Sequence, residues 1–172
     1  FILKKALITG GAGFIGSNLA DKLVKDGYDV TIVDDLSMGL ISNIPDSENI
    51  HFHEKSITDY TFMEKILIEN NFDYIYLLAA IASVADTIER PYSSHLVNQE
   101  ANIRILEVIR KNKLEPKRVI FSSSAAVYGN EPTLPKRETS SISPESPYAI
   151  DKFATERFVI NYGKLYGINT VA

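Results

Sequence analysis

The sequence has no cysteine among its 172 residues. This absence excludes disulfides and thiolate metal sites, and it suits a protein of the reducing cytoplasm, where we expect this one to reside. Histidine is also scarce, with three in the chain. His51 and His53 alternate on a predicted strand and therefore share a face, but a third ligand is missing nearby. We expect no metal site.

The chain also lacks an excess of positive charge and a long apolar run. Its 18 Lys and Arg residues are dispersed and are outnumbered by 22 Asp and Glu, which leaves a net charge of -4. The sequence therefore shows no cluster of basic residues of the kind that binds nucleic acid. The most apolar window, residues 74–85, is shorter than the roughly 20 residues that cross a bilayer, and no charged-then-apolar signal segment opens the chain. We expect neither a nucleic-acid nor a membrane partner.

What the sequence does contain is an alternation of two patterns. Short apolar runs predict strands at residues 6–8, 28–34, 50–54, 74–80 and 119–122. Segments with helical spacing of apolar residues predict helices at 17–25, 59–71, 92–111 and 147–167, with a loop up to about residue 91 and a long irregular connection before residue 147. The alternation is typical of an α/β fold, here a Rossmann-type, doubly wound parallel sheet with helices on both faces.

We interpret residues 1–172 as one domain. The last residues, 169–172, resemble the beginning of a further strand, so we expect the chain to be a fragment of a longer protein.

A glycine cluster separates the first predicted strand from the first predicted helix. Glycines let the backbone approach a pyrophosphate closely, and the first amides of the helix point at it. Gly11, Gly13 and Gly16 satisfy the spacing GxGxxG, whereas Gly10, Gly13 and Gly16 satisfy GxxGxxG, and spacing alone leaves both patterns open. Either pattern, between a strand and a helix, predicts a dinucleotide site.

Asp34 ends the second predicted strand. A carboxylate at that position can accept hydrogen bonds from the adenosine ribose hydroxyls and repel a 2'-phosphate. The sequence therefore favours NAD over NADP as the cofactor.

Three further side chains suggest chemistry. Tyr148 and Lys152 are one helical turn apart, a spacing that arises readily by chance. At about 6 Å, an ammonium group would stabilise a phenolate by on the order of 3 kcal/mol, so this tyrosine could act as a base. Ser124 follows the fifth strand, where open α/β sheets bind ligands, and we expect its hydroxyl to face the cofactor crevice.

The motifs TGGAGFIG, VDDLSMG, FSSSAAVYG and YAIDK, in this order, resemble those of the extended short-chain dehydrogenase/reductase family, close to its NAD-dependent nucleotide-sugar epimerases. The resemblance covers the whole chain. It implies that residues 1–172 are the NAD-binding Rossmann domain, that the C-terminal substrate domain of the family is absent from this chain, and that the chain alone is an incomplete enzyme. It implies a catalytic set of Ser124, Tyr148 and Lys152. It implies a cofactor-binding set of Gly10, Gly13, Phe14, Ile15, Gly16, Asp34, Ile57, Leu78, Ala79, Ala80, Asn98, Ser122, Tyr148 and Lys152.

The resemblance also implies a reaction. A UDP- or dTDP-sugar would be inverted at one carbon, commonly C4 in this family, through a transient keto sugar. Related dehydratases carry acidic residues just after the serine, whereas this chain has Ala125 and Ala126, which favours epimerisation over water loss. Ser56 stands where relatives often have an aspartate that contacts adenine, which makes the backbone of Ile57 the expected contact.

Two alternatives stay open. One is a nucleotide-sugar dehydratase or reductase that uses the same three residues. The other is a catalytically silent, dinucleotide-sensing module, which would have no need for those residues at these spacings. Family members pair through their two long helices, here 92–111 and 147–167, so the resemblance also implies a homodimer.

Overall fold

A parallel sheet organises the structure, a computed structural model that describes residues 2–172. Within these residues six strands pair in the order β3-β2-β1-β4-β5-β6, and every pairing is parallel. The strands are β1 (Lys5–Thr9), β2 (Asp29–Asp34), β3 (Ile50–Glu54), β4 (Tyr74–Leu77), β5 (Arg118–Phe121) and β6 (Thr170–Val171). This order reverses between β1 and β4, which makes that point the topological switch of a doubly wound sheet.

Helices cover both faces of the sheet. They are α1 (Phe14–Lys25), α2 (Tyr60–Asn70), α3 (Val84–Glu89), α4 (Pro91–His95), α5 (Ala101–Lys111) and α6 (Pro147–Tyr166). One apolar cluster joins Ala6 and Ile8 to α1, and a larger one joins Leu7 to α2, α5 and α6. Because side chains alternate along a strand, neighbouring residues of β1 pack into opposite cores. The predicted α/β Rossmann-type fold is confirmed.

Capping residues define both ends of α2 and α6. The Asp59 side chain accepts a hydrogen bond from the amide of Phe62 and caps α2, which ends at Asn71 in the left-handed conformation. Ser146 caps α6 in the same way, and Gly167 closes that helix with a φ of 72°. The further strand expected near residue 170 is present as β6. None of the helices within residues 2–172 is long and apolar enough to cross a membrane.

The region after β4 differs from the prediction. The strand ends at Leu77 and not at residue 80, because the amides of Leu78 and Ala79 turn to the Thr9 hydroxyl at 3.1 and 3.2 Å. The loop predicted up to about residue 91 contains α3, which the Ser83 side chain caps by accepting a hydrogen bond from the amide of Asp86. A helix of six residues is too short for its apolar spacing to be recognised.

The predicted helix at 92–111 is present but is not uniform. Between α4 and α5 lies one turn of π-helix, Leu96–Glu100, and the residues at both junctions keep right-handed helical angles. A π turn inserts one extra residue and rotates the side chains that follow it. In α5, which follows this turn, Ile105 is buried whereas Ile103 is only half-buried.

Candidate active site

The carboxyl edge of the sheet borders a cleft of about 500 Å³. Its walls come from the segments that follow β1, β2, β3, β4 and β5, and from the first turns of α6. The lining residues are Gly10, Gly13, Phe14, Ile15, Gly16, Val33, Asp34, Asp35, Ser37, Met38, Gly39, Lys55, Ser56, Ile57, Leu78, Ala79, Ala80, Ile81, Ala82, Val97, Ser122, Ser123, Tyr148 and Lys152. The cleft therefore lies across the topological switch between β1 and β4, where doubly wound sheets hold ligands.

The turn after β1 is held by close backbone contacts. Gly10 has a φ of 78°, and a Cβ built on it would lie 2.9 Å from the backbone nitrogen of Ala79. A Cβ on Gly16 would collide with the carbonyl oxygen of Gly10, so α1 packs directly on the turn. Gly11 points away from the cleft and toward Ile32, whereas Gly10, Gly13 and Gly16 line it. The structure thus resolves the two overlapping spacings in favour of GxxGxxG.

The first turn of α1 opens into this cleft. Gly13 occupies the N-cap position, and no side chain within residues 2–172 caps this helix. Phe14 and Ile15 line the cleft and are 83% and 67% exposed, so this turn is open to the cleft. Uncapped amides together with the helix dipole favour an anionic group such as a pyrophosphate.

Asp34 lines the cleft at the end of β2 and organises two loops. One carboxylate oxygen accepts a hydrogen bond from the amide of Ala12 at 2.9 Å, and the other accepts one from the amide of Leu36 at 2.9 Å. Each oxygen keeps a further lone pair, so the carboxylate can still accept from a diol. Asp35, on the same wall, accepts hydrogen bonds from the amide and hydroxyl of Ser37.

The loop after β2 folds over the glycine turn. The amide of Leu40 and the side-chain amide of Asn43 both donate to the carbonyl of Ala12, at 3.1 and 2.9 Å. A Cβ on Gly39 would lie 2.8 Å from that same carbonyl group. The cleft wall at residues 37–39 is missing from the predicted site, although the glycine that permits this contact belongs to the motif VDDLSMG.

Lys152 lies at the floor of the cleft and is 4% exposed. Its ammonium group donates to the carbonyl of Ser122 at 2.9 Å and lies 4.9 Å from the centre of the Phe121 ring and 6.0 Å from that of Tyr148. Burial lowers the pKa of Lys152 to about 8. A cation held in this way, next to a phenol that lines the same cleft, is typical of a functional site.

The serine cluster after β5 is arranged differently from the expectation. Ser122 and Ser123 line the cleft, whereas Ser124 does not belong to the lining. The Ser124 hydroxyl accepts a hydrogen bond from the amide of Ala126 at 3.1 Å and caps the short 3₁₀ turn Ala125–Tyr128. The structure thus brings Tyr148 and Lys152 together at the cleft and places Ser124 just behind its wall.

Asn98 is also set back from the cleft. It is 1% exposed, and its side chain accepts from the amide of Ile81 at 2.7 Å and donates to the carbonyl of the same residue at 3.2 Å. Ile81 itself lines the cleft. The Asn98 amide therefore fixes the course of the wall after β4.

The remaining predicted residues lie along the same cleft. Ile57 and Ser56 line the end beyond Asp34, where the Ser56 hydroxyl is paired with that of Thr58 at 2.7 Å. Leu78, Ala79 and Ala80 form the wall beside the glycine turn, where Gly10 approaches Ala79. Apart from Asn98 and Ser124, every predicted site residue borders this one cavity.

The two strand histidines have protein partners outside the cleft. His51 Nε2 lies 2.7 Å from Asp29 Oδ1, and the His53 ring packs on Phe62 with centres 5.3 Å apart. Burial, followed by the neighbouring His51, lowers the pKa of His53. Across residues 2–172, no cluster of three or more His, Cys, Asp or Glu side chains is placed to hold a metal ion.

Comparison with known proteins agrees with this geometry. The family model described as GDP-mannose 4,6 dehydratase matches residues 7–172. A putative UDP-glucose 4-epimerase of Methanocaldococcus jannaschii is 40% identical over 94% of this chain and 52% of its own length. A GDP-mannose 4,6-dehydratase of Yersinia enterocolitica is 35% identical over 96% of this chain and 47% of its own length.

Solved structures give the same result. A UDP-glucose 4-epimerase of Thermotoga maritima, solved with UDP-glucose, has a TM-score of 0.90 and 38% identity, over 96% of this chain and 53% of that protein. The Brucella ovis UDP-glucose 4-epimerase, solved with NAD, has a TM-score of 0.88 and 31% identity, over 98% and 50% of the two chains. The chain spans about half the length of the relatives it matches. It belongs to the extended short-chain dehydrogenase/reductase family, within the group of nucleotide-sugar enzymes that the GDP-mannose 4,6 dehydratase family model describes.

Proposed function

We propose that the full-length protein is an NAD-dependent nucleotide-sugar epimerase that inverts one sugar carbon, C4, through a transient keto sugar, and that residues 1–172 act as its dinucleotide-binding domain. The observation that carries the proposal is the buried ammonium group of Lys152 beside the Tyr148 phenol at the floor of the cleft. Burying a cation without a carboxylate partner costs stability, so chemistry accounts for it better than folding does.

The residues of the cleft fit NAD. Backbone contacts that a Cβ on Gly10 or Gly16 would break hold the glycine turn close to β4 and α1, and the uncapped first turn of α1 offers amides to a pyrophosphate. Asp34 has free lone pairs for ribose hydroxyls and, with Asp35, a negative charge that disfavours a 2'-phosphate. The Brucella ovis and Thermus thermophilus epimerases were solved with NAD, which supports the assignment. Bound NAD would supply a reversible hydride acceptor next to the sugar.

The chain's own residues supply proton transfer and orientation. Tyr148 takes the proton of the sugar hydroxyl and later returns it, which is general base and then general acid catalysis. The Lys152 ammonium group favours the ionised phenol by Coulomb attraction. Ser124 donates to the same sugar oxygen once its hydroxyl turns from the amide of Ala126 toward the cleft. Ala125 and Ala126 provide no acid or base for water elimination, which supports epimerisation.

A specific observation favours a second candidate, a nucleotide-sugar 4,6-dehydratase. The matching family model has that description, and the Yersinia relative is such an enzyme. The two reactions share the three residues and differ in their product. A catalytically silent sensing module is disfavoured, since it would gain nothing from the buried cation.

The deciding experiment is chromatographic separation followed by mass analysis of the products from a panel of UDP- and dTDP-sugars incubated with the full-length protein, because an epimer has the mass of its substrate. An epimer of unchanged mass supports the proposal, a product lighter by one water indicates the dehydratase, and no product from any sugar supports the sensing module. The Tyr148→Phe variant serves as the negative control for the first two outcomes.

We also propose a homodimer in the cytoplasm, formed through α5 and α6. Phe158, Leu165 and Tyr166 are 40%, 70% and 47% exposed on α6, and a contiguous apolar surface of this kind favours a protein contact. The absence of cysteine is compatible with a reducing compartment. Sedimentation of the full-length protein and of a Leu165→Glu variant tests the contact, because a charge there should shift a dimer toward monomer.

A further inference from the structure

A histidine–aspartate pair, of which only the aspartate is buried, joins α4 to α6 beside the proposed active site. His95 Nδ1 lies 2.8 Å from Asp151 Oδ1, and the two side chains are 39% and 7% exposed. Asp151 directly precedes Lys152 and is three residues after Tyr148. The proposed chemistry uses neither member of this pair.

The Asp151 carboxylate depends on this one contact. Among residues 2–172, its other oxygen is buried and has no hydrogen-bond partner. Buried ion pairs contribute little to stability compared with apolar side chains of similar size, but they constrain direction because a hydrogen bond tolerates little rotation. We therefore explain the His95–Asp151 pair by the orientation that it imposes on α6, and not by a contribution to folding stability.

A second contact lies one turn further along the same face of α6. The Thr155 hydroxyl, 0% exposed, donates to the carbonyl of Asn98 at 3.0 Å. The side chain of Asn98 in turn holds the backbone of Ile81 in the cleft wall. Asp151 and Thr155 thus tie α6 at two levels to α4 and to the π turn, whose Asn98 side chain holds the cleft wall.

The two stripes of α6 are rotationally linked. Asp151 and Thr155 form one stripe at a spacing of four residues, and Tyr148 and Lys152 form the adjacent one. A rotation that loosens the first stripe must move the second, because both project from one rigid helix. The direction of the phenol in the cleft is consequently set by the contacts on α4 and the π turn.

We propose that Asp151 and His95 are positioning residues that fix the rotation of α6 and thereby hold the Tyr148 hydroxyl in register with the sugar; this rests on the function proposed above. The pair acts through Tyr148 and contacts neither the sugar nor the cofactor. A misplacement of about 1 Å at a reacting group lowers a rate by up to about 100-fold.

The first test compares three single variants of the full-length protein. His95→Ala removes the hydrogen bond, and His95→Asn keeps a side-chain N–H close to the position of Nδ1. His51→Ala is the matched control, because His51 forms a similar pair with Asp29, at 2.7 Å, on the distant strand β3. We expect His95→Ala to lower kcat about 10-fold or more with KM within about three-fold, His95→Asn to restore most of kcat, and His51→Ala to change neither.

The second test separates positioning from folding. In a His95→Leu/Asp151→Ala variant no buried charge is left unpaired, so the melting temperature should stay at or above that of the wild type. We expect kcat to remain low in this stable variant. A wild-type kcat in the stable variant, or a loss of kcat in His95→Ala that matches its loss of folded protein, overturns the proposal.

A crystal structure of the double variant gives a readout independent of turnover. Displacement of the Tyr148 hydroxyl by about 1 Å relative to the Ser122 carbonyl supports the positioning role, and an unmoved hydroxyl overturns it. If the wild-type protein converts no nucleotide sugar, the proposed function fails, and this structural comparison still decides the positioning role by itself.

Discussion

The ammonium group of Lys152 lies 6.0 Å from the centre of the Tyr148 ring, one helical turn earlier on α6. A proton-transferring residue typically contributes about 10² to 10⁴ in rate. We expect Tyr148→Phe to lower turnover of the full-length protein by about 10² to 10⁴ or more. NAD affinity should stay within several-fold of the wild type. Product assays and calorimetric titration with NAD measure the two effects.

The matched control for this prediction is Tyr166→Phe, near the end of the same helix and outside the cleft lining. It should retain wild-type turnover. Turnover retained in Tyr148→Phe would refute the role assigned to this phenol.

The buried lysine should reduce stability at neutral pH. Burial lowers the pKa of Lys152 to about 8 in the folded protein, from an ordinary value of 10.5. The unfolded state therefore binds more protons between these values, and the free energy of unfolding rises with pH across that interval. Below pH 8 the full cost applies, on the order of 3 kcal/mol before the Ser122 hydrogen bond and the aromatic contacts offset part of it.

We therefore expect Lys152→Met to be more stable than the wild type at pH 7, by about 1 to 3 kcal/mol, although it is inactive. The difference should shrink as the pH rises from about 8 to about 10.5, because the wild type gains stability across that interval. Urea unfolding at pH 7 and pH 10.5 measures it, and Lys164→Met, an exposed lysine on the same helix, should show no comparable gain. A destabilised Lys152→Met at pH 7 would mean that the ammonium contacts outweigh the desolvation cost.

The parts of the site that the sequence predicts are those that depend on local backbone structure. The glycine turn, Asp34 at a strand end and the Tyr148–Lys152 spacing each depend on a few consecutive residues, and parallel strands bring their carboxyl ends to one edge. The doubly wound parallel sheet also follows, because alternating strands and helices with right-handed crossovers leave few topologies.

What the sequence does not predict depends on competition between hydrogen-bond partners. The sequence predicts that the Ser124 hydroxyl faces the cleft. In the structure this hydroxyl accepts a hydrogen bond from the amide of Ala126, in its own turn. Serine commonly bonds to nearby backbone in this way. Asn98 was placed along the cofactor, but the π turn aims its amide at Ile81, and a π turn leaves no periodicity that a pattern could detect.

Glu107 of α5 forms ion pairs with Arg110 and Lys111 of its own helix and accepts a hydrogen bond from the Tyr162 hydroxyl of α6. The hydrogen bond from Arg110, followed by that from the Tyr162 hydroxyl, lowers the pKa of Glu107 to about 2. A depressed carboxyl pKa contributes stability that is complete above about pH 4.5 and is lost as the pH falls toward 2. Glu107→Gln should therefore reduce stability at pH 6 and flatten its dependence on pH between 5 and 2, with the exposed Glu115→Gln as control.

The same contact acts in the alkaline range. Burial, followed by the hydrogen bond to Glu107, raises the pKa of Tyr162 to about 12. Its contribution is therefore complete below about pH 10 and is lost as the pH rises through 12. Thermal melts across both ranges measure the two effects, and a Glu107→Gln profile parallel to the wild type in acid would contradict the assignment.

Two glycines with similar backbone angles provide a matched pair. Gly10 and Gly27 have φ values of 78° and 86°, but a Cβ on Gly10 would lie 2.9 Å from the backbone of Ala79, whereas one on Gly27 would have nothing within 4 Å among the described residues. Gly27→Ala should cost about 1 to 2 kcal/mol and leave NAD binding unchanged. Gly10→Ala should cost more and lower NAD affinity at least ten-fold, since the turn must shift; equal effects in calorimetry and urea unfolding would exclude a role for the close approach.

Cofactor choice depends on Asp34, which accepts hydrogen bonds from the amides of Ala12 and Leu36 at the cleft wall. Asp34→Asn removes the negative charge. It also replaces one carboxylate oxygen by an NH₂ group, a donor that cannot accept the hydrogen bond from a backbone amide. We expect NAD affinity to fall about ten-fold while NADP affinity falls less or rises, because the repulsion of the 2'-phosphate is lost. Asp35→Asn is the control. The Asp35 carboxylate accepts hydrogen bonds from Ser37, and its removal should change the ratio of NAD affinity to NADP affinity less. Calorimetric titration with both dinucleotides gives the ratio, and an unchanged preference in Asp34→Asn would assign the discrimination to the backbone of the loop instead of the carboxylate.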